Sequence, residues 1–137
     1  MKYLIDTHIL LWAVDEQKSR MLTSRTRSIL SNENNQIHYS PISIWEIIMK
    51  QQKKPGELTD LPISKFLENC KQMDFQELKL NATHVCALET LSRPENAPRH
   101  NDPFDKILIA QAKAEGMRFL THDDLLSDYN EDCVIIV

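Results

Sequence analysis

A chain of 137 residues has the usual length of one domain and can bury a core without disulfide bonds. The hydrophobic share of 42% and the charged share of 26% are typical of a globular protein, and no apolar run approaches the roughly 18 residues that cross a bilayer. The formal charge of −4 argues against a protein that binds nucleic acid through a basic surface, although a bound metal ion reverses the local charge of an acidic cleft. We therefore expect one soluble domain, residues 1–137, without a membrane partner.

The compartment follows from the first residues and from the cysteines. An acid at position 6 interrupts the apolar stretch that an export signal needs, so nothing in the sequence indicates export. Cys70, Cys86 and Cys133 lie far apart and form no Cys-x-x-Cys pair, which disfavours both a zinc site and a disulfide framework. We expect a cytoplasmic protein with buried, reduced thiols.

The first third of the chain alternates short apolar strands with helices. Residues 3–6 are predicted as a buried strand, and the apolar spacing of residues 7–14 predicts a helix directly after it. Residues 23–30 are predicted as a second helix, which the polar loop 31–35 ends. Residues 37–39 then form a second short strand.

The middle of the chain continues this alternation. Ser40 is a good N-cap and Pro41 suits the first helical position, so a helix is expected with its body at residues 42–50. A Lys-Pro-Gly stretch breaks the pattern. Residues 62–73 are predicted as an amphipathic helix and residues 75–78 as a strand.

The next segment contains the clearest loop and the best-marked helix. Asn81 is expected to cap a helix that runs to about Leu91, and residues 92–101, which contain two prolines, are expected to form a loop. Asp102 then caps a helix with Pro103 at its first position.

The end of the chain adds two strands. Gly116 is expected to end the preceding helix, residues 118–121 form a buried strand, and residues 133–137 form a terminal strand of β-branched residues. Strands and helices thus alternate throughout. The fold class is α/β, with a central, mainly parallel sheet covered by helices and with functional groups beyond the carboxyl ends of the strands.

Four acids are expected to meet at that edge of the sheet. Asp6 and Asp123 directly follow apolar strands, while Glu46 and Asp105 lie in the first turns of helices that begin there. Carboxylates that crowd together must bind protons or a cation. Mg²⁺ and Mn²⁺ prefer oxygen ligands, and such ions activate water for phosphodiester hydrolysis. The four acids therefore indicate a metal-dependent nuclease.

Each acid also has a structural alternative. Asp102 and Asp105 have the spacing of an N-cap and its third helical partner, so capping alone would account for both. Glu46 is on a helix, where most acids are simply solvated, but its neighbours are apolar. Asp123 and Asp124 are adjacent, so one of them suits a turn or a cap.

Hydroxyl and basic side chains complete the candidate site. Thr7, Ser43 and Thr121 can hold a carboxylate or a metal-bound water, or serve as ordinary caps. A basic strip could hold phosphates, although each of its members is equally well explained as a solvated charge. The candidates for that strip are Lys50, Lys53, Lys54, Arg93 and Arg99.

Several enzyme classes lack their motifs. Two glycines in the whole chain exclude the Gly-rich phosphate loops of dinucleotide-binding and P-loop proteins, and no Gly-x-Ser-x-Gly elbow is present. The five histidines show no pairing of the kind that binds zinc, which disfavours a zinc hydrolase. They are His8, His38, His84, His100 and His122.

Four segments together resemble a known family. They are LIDTHILLW at residues 4–12, SPISIWEI at 40–47, HNDPFDKILIAQA at 100–112 and FLTHD at 119–123. In order and spacing they resemble a PIN domain, specifically the VapC-type toxin of bacterial toxin–antitoxin pairs. The resemblance spans nearly the whole chain, and four motifs in the right order are much more specific than any one of them.

The resemblance implies a fold, an activity and partners. The fold would be the PIN-like three-layer α/β/α arrangement, and the activity a Mg²⁺- or Mn²⁺-dependent endoribonuclease on single-stranded or looped RNA. Toxins of this type are usually homodimers, inhibited by a cognate antitoxin that inserts a segment into the active cleft.

The resemblance also assigns roles by position. The four acids of the family match Asp6, Glu46, Asp105 and Asp123, and Asp102 matches an extra acid of this subgroup that is a candidate metal ligand. Three of the matched acids would hold the metal, and Glu46 would bind it or position the attacking water. Three hydroxyl residues would support them: Thr7, Ser43 and Thr121.

Two other functions stay open. A phosphatase could use Asp6 as a nucleophile from the same strand end, but such enzymes carry an Asp-x-Asp pair and here His8 occupies the second place. A catalytically silent PIN-like module could instead bind RNA or a protein.

Overall fold

Five short segments pair side by side into one central sheet in the computed structural model, which describes residues 1–137. In chain order the strands are β1 (Lys2–Ile5), β2 (Gln36–Tyr39), β3 (Gln76–Glu77), β4 (Arg118–Thr121) and β5 (Val134–Ile136). They lie in the order β3-β2-β1-β4-β5, and every neighbouring pair is parallel. The expected mainly parallel sheet is confirmed, and it contains no antiparallel strand.

Helices connect these strands. The α-helices are α1 (Thr7–Val14), α2 (Ser24–Ser31), α3 (Pro41–Lys53), α4 (Ile63–Gln72), α5 (Ala82–Cys86) and α6 (Pro103–Glu115). Three 3-10 helices lie at Glu16–Met21, Ala87–Thr90 and Asp124–Asp128. No helix combines the length and the apolar character that a membrane crossing requires.

The strand order reverses at β1. From β1 the chain moves outward through β2 to β3, and it then returns to the other side of β1 to form β4 and β5. Ile5 pairs with Leu120, so the carboxyl ends of β1 and β4 lie side by side. The residues that follow, Asp6 and Thr121, therefore lie at the crevice where open parallel sheets usually place their sites.

Both faces of the sheet are apolar and covered. Successive residues of a strand point to opposite faces, so Tyr3 and Ile5 belong to one core cluster and Leu4 to the other. The first cluster includes Phe66 of α4, and the second is built around Phe119 and the buried face of α6. Helices thus pack on both sides, which confirms the three-layer α/β/α fold.

The helix ends follow the signals in the sequence. The Ser40 hydroxyl accepts a hydrogen bond from the Ile42 N–H, and Pro41 takes the first position of α3. Gly116 ends α6 in the left-handed conformation with φ +66°, which a residue without Cβ adopts most easily. These caps fix where α3 and α6 begin and end relative to the sheet.

The helix expected from Asn81 to Leu91 is shorter than predicted. The α-helical part ends at Cys86, and Ala87–Thr90 continues as a 3-10 helix, in which the Leu91 N–H bonds to the Leu88 carbonyl. Tightening to three residues per turn is common at helix ends and is not marked by side-chain periodicity. The N-cap at Asn81 was predicted correctly.

The expectation of three buried thiols is wrong for one cysteine. Cys70 is buried in the core and Cys133 is partly buried, but Cys86 is exposed. His84 provides the inward side of the short helix α5, and two residues later the chain faces solvent.

The 3-10 helices at Glu16–Met21 and Asp124–Asp128 were also not predicted; an aspartate caps each of them.

Candidate active site

Asp6 lies where β1 ends and α1 begins. Its Oδ1 accepts a hydrogen bond from the Ile9 N–H at 2.9 Å, which makes it the N-cap of α1, and its Oδ2 accepts a short hydrogen bond from the Thr121 hydroxyl. Only 5% of Asp6 is exposed. Burial raises the pKa of Asp6 above its ordinary value, although the hydrogen bonds from Ile9 and Thr121 act in the opposite direction.

Thr121 connects Asp6 to Asp123. The Thr121 oxygen that donates to Asp6 also accepts a hydrogen bond from the Asp123 N–H at 3.1 Å. The Asp123 Oδ1 in turn accepts from the Leu125 N–H at 3.0 Å and caps the 3-10 helix Asp124–Asp128. The sequence left two adjacent acids open for this position. Asp123 takes the capping place, and both acids are exposed.

Glu46 is buried and both of its carboxylate oxygens have partners. The Thr7 hydroxyl donates to Oε1 at 2.7 Å and also bonds to the Ser43 hydroxyl at 2.9 Å. Lys50, one turn later on α3, places its Nζ 2.6 Å from Oε2. Only 3% of Glu46 is exposed, so it is held as a buried anion beside its own cation.

Lys50 therefore has a different setting from the solvated surface charge considered above. Burial by itself would lower the pKa of Lys50, but the hydrogen bond and the charge of Glu46 outweigh burial and raise it. The carboxylates of Asp102 and Asp105 act in the same direction, which places the Lys50 ammonium in the field of the acidic site. Lys53 and Lys54, at the end of α3, are exposed.

Asp102 and Asp105 share the first turn of α6. The Asp102 Oδ1 accepts from the Phe104 N–H at 2.9 Å and from the Asp105 N–H at 3.4 Å, which confirms the predicted N-cap. Burial raises the pKa of Asp105 to about 8. Four neighbouring carboxylates add to this increase: Asp102, Asp6, Glu46 and Asp123. Four of the acids that the sequence singled out are thus near enough to Asp105 for their charges to act on it.

His100 is a site residue that the sequence did not single out. Its Nε2 lies 3.1 Å from Asp105 Oδ2, and its Nδ1 lies 2.9 Å from the Tyr129 hydroxyl. Burial lowers the pKa of His100, as does Arg93, while nearby carboxylates partly offset this. A neutral imidazole donates at one nitrogen and accepts at the other, so its two partners set its orientation.

Arg93 holds the loop that carries His100. Its guanidinium donates to the Pro98 carbonyl at 2.6 Å and to the Leu125 carbonyl at 3.1 Å, and it lies 4.8 Å from the centroid of the Tyr129 ring. The structure therefore uses Arg93 to join the 92–101 loop to the segment after β4. Arg93 is partly buried in this role, whereas Arg99 is exposed.

Two groups of aromatic rings flank the acids. Trp45 and Phe104 meet edge to face, with ring centroids 5.0 Å apart and an interplanar angle of 76°. On another side, the Trp12 ring lies between two imidazoles, 5.8 Å from that of His8 and 5.3 Å from that of His122. Each group directly neighbours an acid along the chain.

The donor set fits a hard divalent cation. Carboxylate oxygens are the ligands that Mg²⁺ and Mn²⁺ prefer. Burial, together with the neighbouring carboxylates, raises the pKa of Asp105 to about 8, so a cation would replace a proton there. Ligand atoms of His100, Asp105 and Asp123 all lie within 4.8 Å of one another. Because both His100 nitrogens already have partners, the oxygens are the better donors.

Comparisons with known proteins agree with this fold. No curated protein matches the chain. Among solved structures, a chain of VapBC2 from Rickettsia felis, determined bound to a DNA fragment from their promoter, is similar with a TM-score of 0.64 and 14% identity, over 100% of this chain and 98% of that chain. At this identity the similarity is one of fold. The PIN domain model matches residues 3–132, and the chain therefore belongs to the PIN domain family.

Proposed function

We propose that this protein is a Mg²⁺- or Mn²⁺-dependent endoribonuclease and the toxin of a VapC-type toxin–antitoxin pair, working as a single domain over residues 1–137. The observation that carries the proposal is the acid cluster at the carboxyl edge of the sheet, in which burial and four other carboxylates raise the pKa of Asp105 to about 8. Membership of the PIN family, whose members are generally nucleases, supports it.

We assign the metal to the acids around the β1 and β4 ends. Asp6, Asp105 and Asp123 would hold the cation, with Asp102 as a further candidate, and the cation would supply an activated water and stabilise the charge on the phosphodiester. Asp102 and Asp123 each use an oxygen as a helix cap, which orients the carboxylate without neutralising it.

Glu46 has a different setting from the other acids. Its oxygens already bond to Thr7 and Lys50, so we assign it to orienting the attacking water, with direct metal contact as the secondary role. The Thr7 hydroxyl holds this carboxylate and is itself bonded to the Ser43 hydroxyl, and Thr121 holds Asp6. These hydroxyls position the acids but carry no charge themselves.

The substrate and partners follow from the resemblance and from the fold comparison. We propose single-stranded or looped RNA as the substrate, a cognate antitoxin as the inhibitor, a homodimer as the assembly and the cytoplasm as the compartment. Similarity in fold to VapBC2 supports the antitoxin partner.

A phosphatase that uses Asp6 as its nucleophile is less well supported. Phosphatases of that kind carry an Asp-x-Asp pair, and here His8 occupies the second place. The hydrogen bonds to Asp6 from Ile9 and Thr121 suit a metal ligand, because they orient the carboxylate and leave each oxygen a lone pair.

The test is cleavage of single-stranded RNA by the purified protein with Mg²⁺ or Mn²⁺. We expect Asp6→Asn to abolish cleavage while circular dichroism shows an unchanged fold. Asp124→Asn is the matched control, because this acid is exposed and lies next to Asp123, and it should retain activity. Equal activity in excess EDTA would contradict metal dependence.

A protein that is inert on generic RNA would still be informative in cells. Expression of the wild-type chain should arrest growth, and Asp105→Asn should relieve the arrest. A toxic Asp105→Asn variant, expressed at the same level, would show that toxicity does not come from this site. If neither the wild type nor Asp105→Asn is toxic, the catalytically silent module is favoured instead.

A further inference from the structure

We propose that Trp45 and Phe104 form a stacking subsite for one nucleobase of the RNA, next to the phosphodiester that is cut. This inference rests on the proposed ribonuclease function and adds a part of the site that holds the substrate. The subsite would recognise the presence of a base rather than its identity, because every base offers an aromatic face.

The position of the pair supports this assignment. Trp45 directly precedes Glu46 on α3, and Phe104 directly precedes Asp105 on α6. Their contact, with centroids 5.0 Å apart, therefore joins the two helices that carry these acids. The pair is therefore adjacent along the chain to two of the acids, although the Trp45 side chain faces solvent where that of Glu46 is buried.

The exposure of Trp45 also supports it. Phe104 is partly buried and packs against the core cluster around Phe119, whereas 56% of Trp45 is exposed. Trp45 thus contacts one aromatic partner and leaves more than half of its surface open to solvent. An indole with that much open surface is suited to receive a flat ligand.

The charge distribution gives the subsite a physical reason. RNA-binding proteins usually obtain affinity from Lys and Arg at the phosphates, but this chain has a net charge of −4. Lys50 is bound to Glu46, and Arg93 is bound to the carbonyls of Pro98 and Leu125, so these two cations are already paired, while Lys53, Lys54 and Arg99 stay exposed. Stacking would add affinity that does not depend on charge.

A protein partner is the main alternative occupant of this surface. Ile48, one turn after Trp45 on α3, is also partly exposed, so an apolar contact with another chain would use the same side of the helix. The two occupants lead to different predictions. Only if a nucleobase binds there should the effect of a Trp45 substitution on RNA cleavage depend on a base in the RNA.

The first experiment is a walk along the substrate with abasic nucleotides. A short single-stranded RNA that the protein cuts at one position is prepared with one abasic ribose at each place around the cut. The wild type should lose about tenfold in kcat/KM at one abasic position. On the intact RNA, the kcat/KM of Trp45→Ala should be about tenfold below that of the wild type. On that abasic RNA, the kcat/KM of Trp45→Ala should fall no further.

Two variants serve as controls for this walk. Trp45→Phe should keep the dependence on the base, because a smaller ring still stacks. Ile48→Ala removes an exposed apolar side chain from the same helix and should leave the dependence unchanged. The subsite is refuted if Trp45→Ala lowers kcat/KM, relative to the wild type, by the same factor on intact and on abasic RNA. It is also refuted if Trp45→Ala instead changes the oligomeric state measured by light scattering.

A second measurement does not require cleavage. The chain has two tryptophans, so Trp12→Phe leaves Trp45 as the sole indole, and Asp6→Asn prevents turnover. The anisotropy of a label on a single-stranded RNA measures binding. When this RNA binds, the Trp45 fluorescence should be quenched. Fully abasic RNA of the same length should not quench it.

These outcomes separate the two proposals. A wild-type protein that cuts RNA without any Trp45-dependent base effect retains the proposed function and refutes the subsite. A protein that does not cut RNA, but whose Trp45 is quenched by base-bearing RNA, retains the subsite and refutes the activity. RNA binding without any change in Trp45 fluorescence would refute the subsite directly.

Discussion

The His100 Nε2 lies 3.1 Å from the Asp105 Oδ2, so the orientation of this acid depends on a loop that is not part of the sheet. His100 is itself held by the Tyr129 hydroxyl at 2.9 Å. Groups that orient a metal-binding carboxylate typically change metal affinity when they are removed. The loop thus contributes to the site without contributing an acid.

We therefore expect His100→Ala to weaken Mn²⁺ or Mg²⁺ binding by about tenfold or more, because the Asp105 carboxylate loses its partner. Calorimetric titration of the metal measures this directly. Asn96→Ala is the control, because Asn96 is an exposed residue of the same loop. Unchanged affinity in His100→Ala would mean that the hydrogen bond does not orient Asp105.

Metal binding should also depend on pH. Burial and neighbouring carboxylates raise the pKa of Asp105 to about 8, so below that pH a metal ion has to displace a proton from it. Apparent Mg²⁺ affinity should rise by about tenfold per pH unit and level off above the Asp105 pKa. Titrations across a pH series that brackets this value check the slope. Asp105→Asn should bind weakly at every pH, while Asp124→Asn should retain the slope.

The same pKa shift predicts how stability changes with pH. The metal-free fold keeps a proton on Asp105 that the unfolded chain releases above its ordinary pKa of 3.8. This group therefore stabilises the fold at low pH, and its contribution is lost as the pH rises through about 8. Metal-free Asp105→Asn should melt higher than the wild type at alkaline pH and show a smaller difference at acidic pH. Saturating Mg²⁺ should reverse the alkaline difference; a difference that does not change with pH would contradict the shift.

Lys50 should matter to stability more than other lysines on the same helix. Lys50→Gln leaves Glu46 buried without its cation, and we expect a loss of about 1 kcal/mol in the free energy of unfolding, because the Lys50 side chain is partly solvated. Lys54→Gln is the matched control, since the Lys54 ammonium is 3.9 Å from Glu57 and both side chains are largely exposed. Denaturant unfolding compares the two; equal losses would refute the special role of Lys50.

Thr121→Val removes a hydroxyl but keeps the shape of the side chain. The Asp6 carboxylate and the Asp123 N–H both lose a partner, so we expect a loss of about 1–3 kcal/mol in stability, together with weaker metal binding. Thr90→Val, at an exposed hydroxyl, should change neither quantity. Denaturant unfolding and metal titration of the two variants test this. Weaker metal binding at unchanged stability would indicate that water replaces the lost hydroxyl.

Much of the fold could be predicted because its signals are local. The apolar run before Asp6, the Ser40-Pro41 and Asp102-Pro103 starts and the end at Gly116 each depend on a few adjacent residues, and each lies where expected. Alternation of strands and helices then indicated a parallel sheet, whose edge collects the acids. The PIN resemblance is confirmed for the family.

The remaining features depend on contacts between distant segments. His100 meets Asp105 only because Arg93 and Tyr129 hold the 92–101 loop against the segment after β4. The Lys50 pair with Glu46 has helical spacing, and that spacing was the available signal for it. The 3-10 helices were missed because short turns carry little periodicity.

The bond from Thr121 to Asp6 spans 115 residues, and this separation has a consequence for synthesis. A ribosome makes Asp6 long before Asp123, so no nascent chain that stops before β4 contains the complete set of acids. A protein that cuts RNA while it is being translated would endanger its own message. Here the order of the strands delays assembly of the proposed centre until β4 and the residues after it have been made.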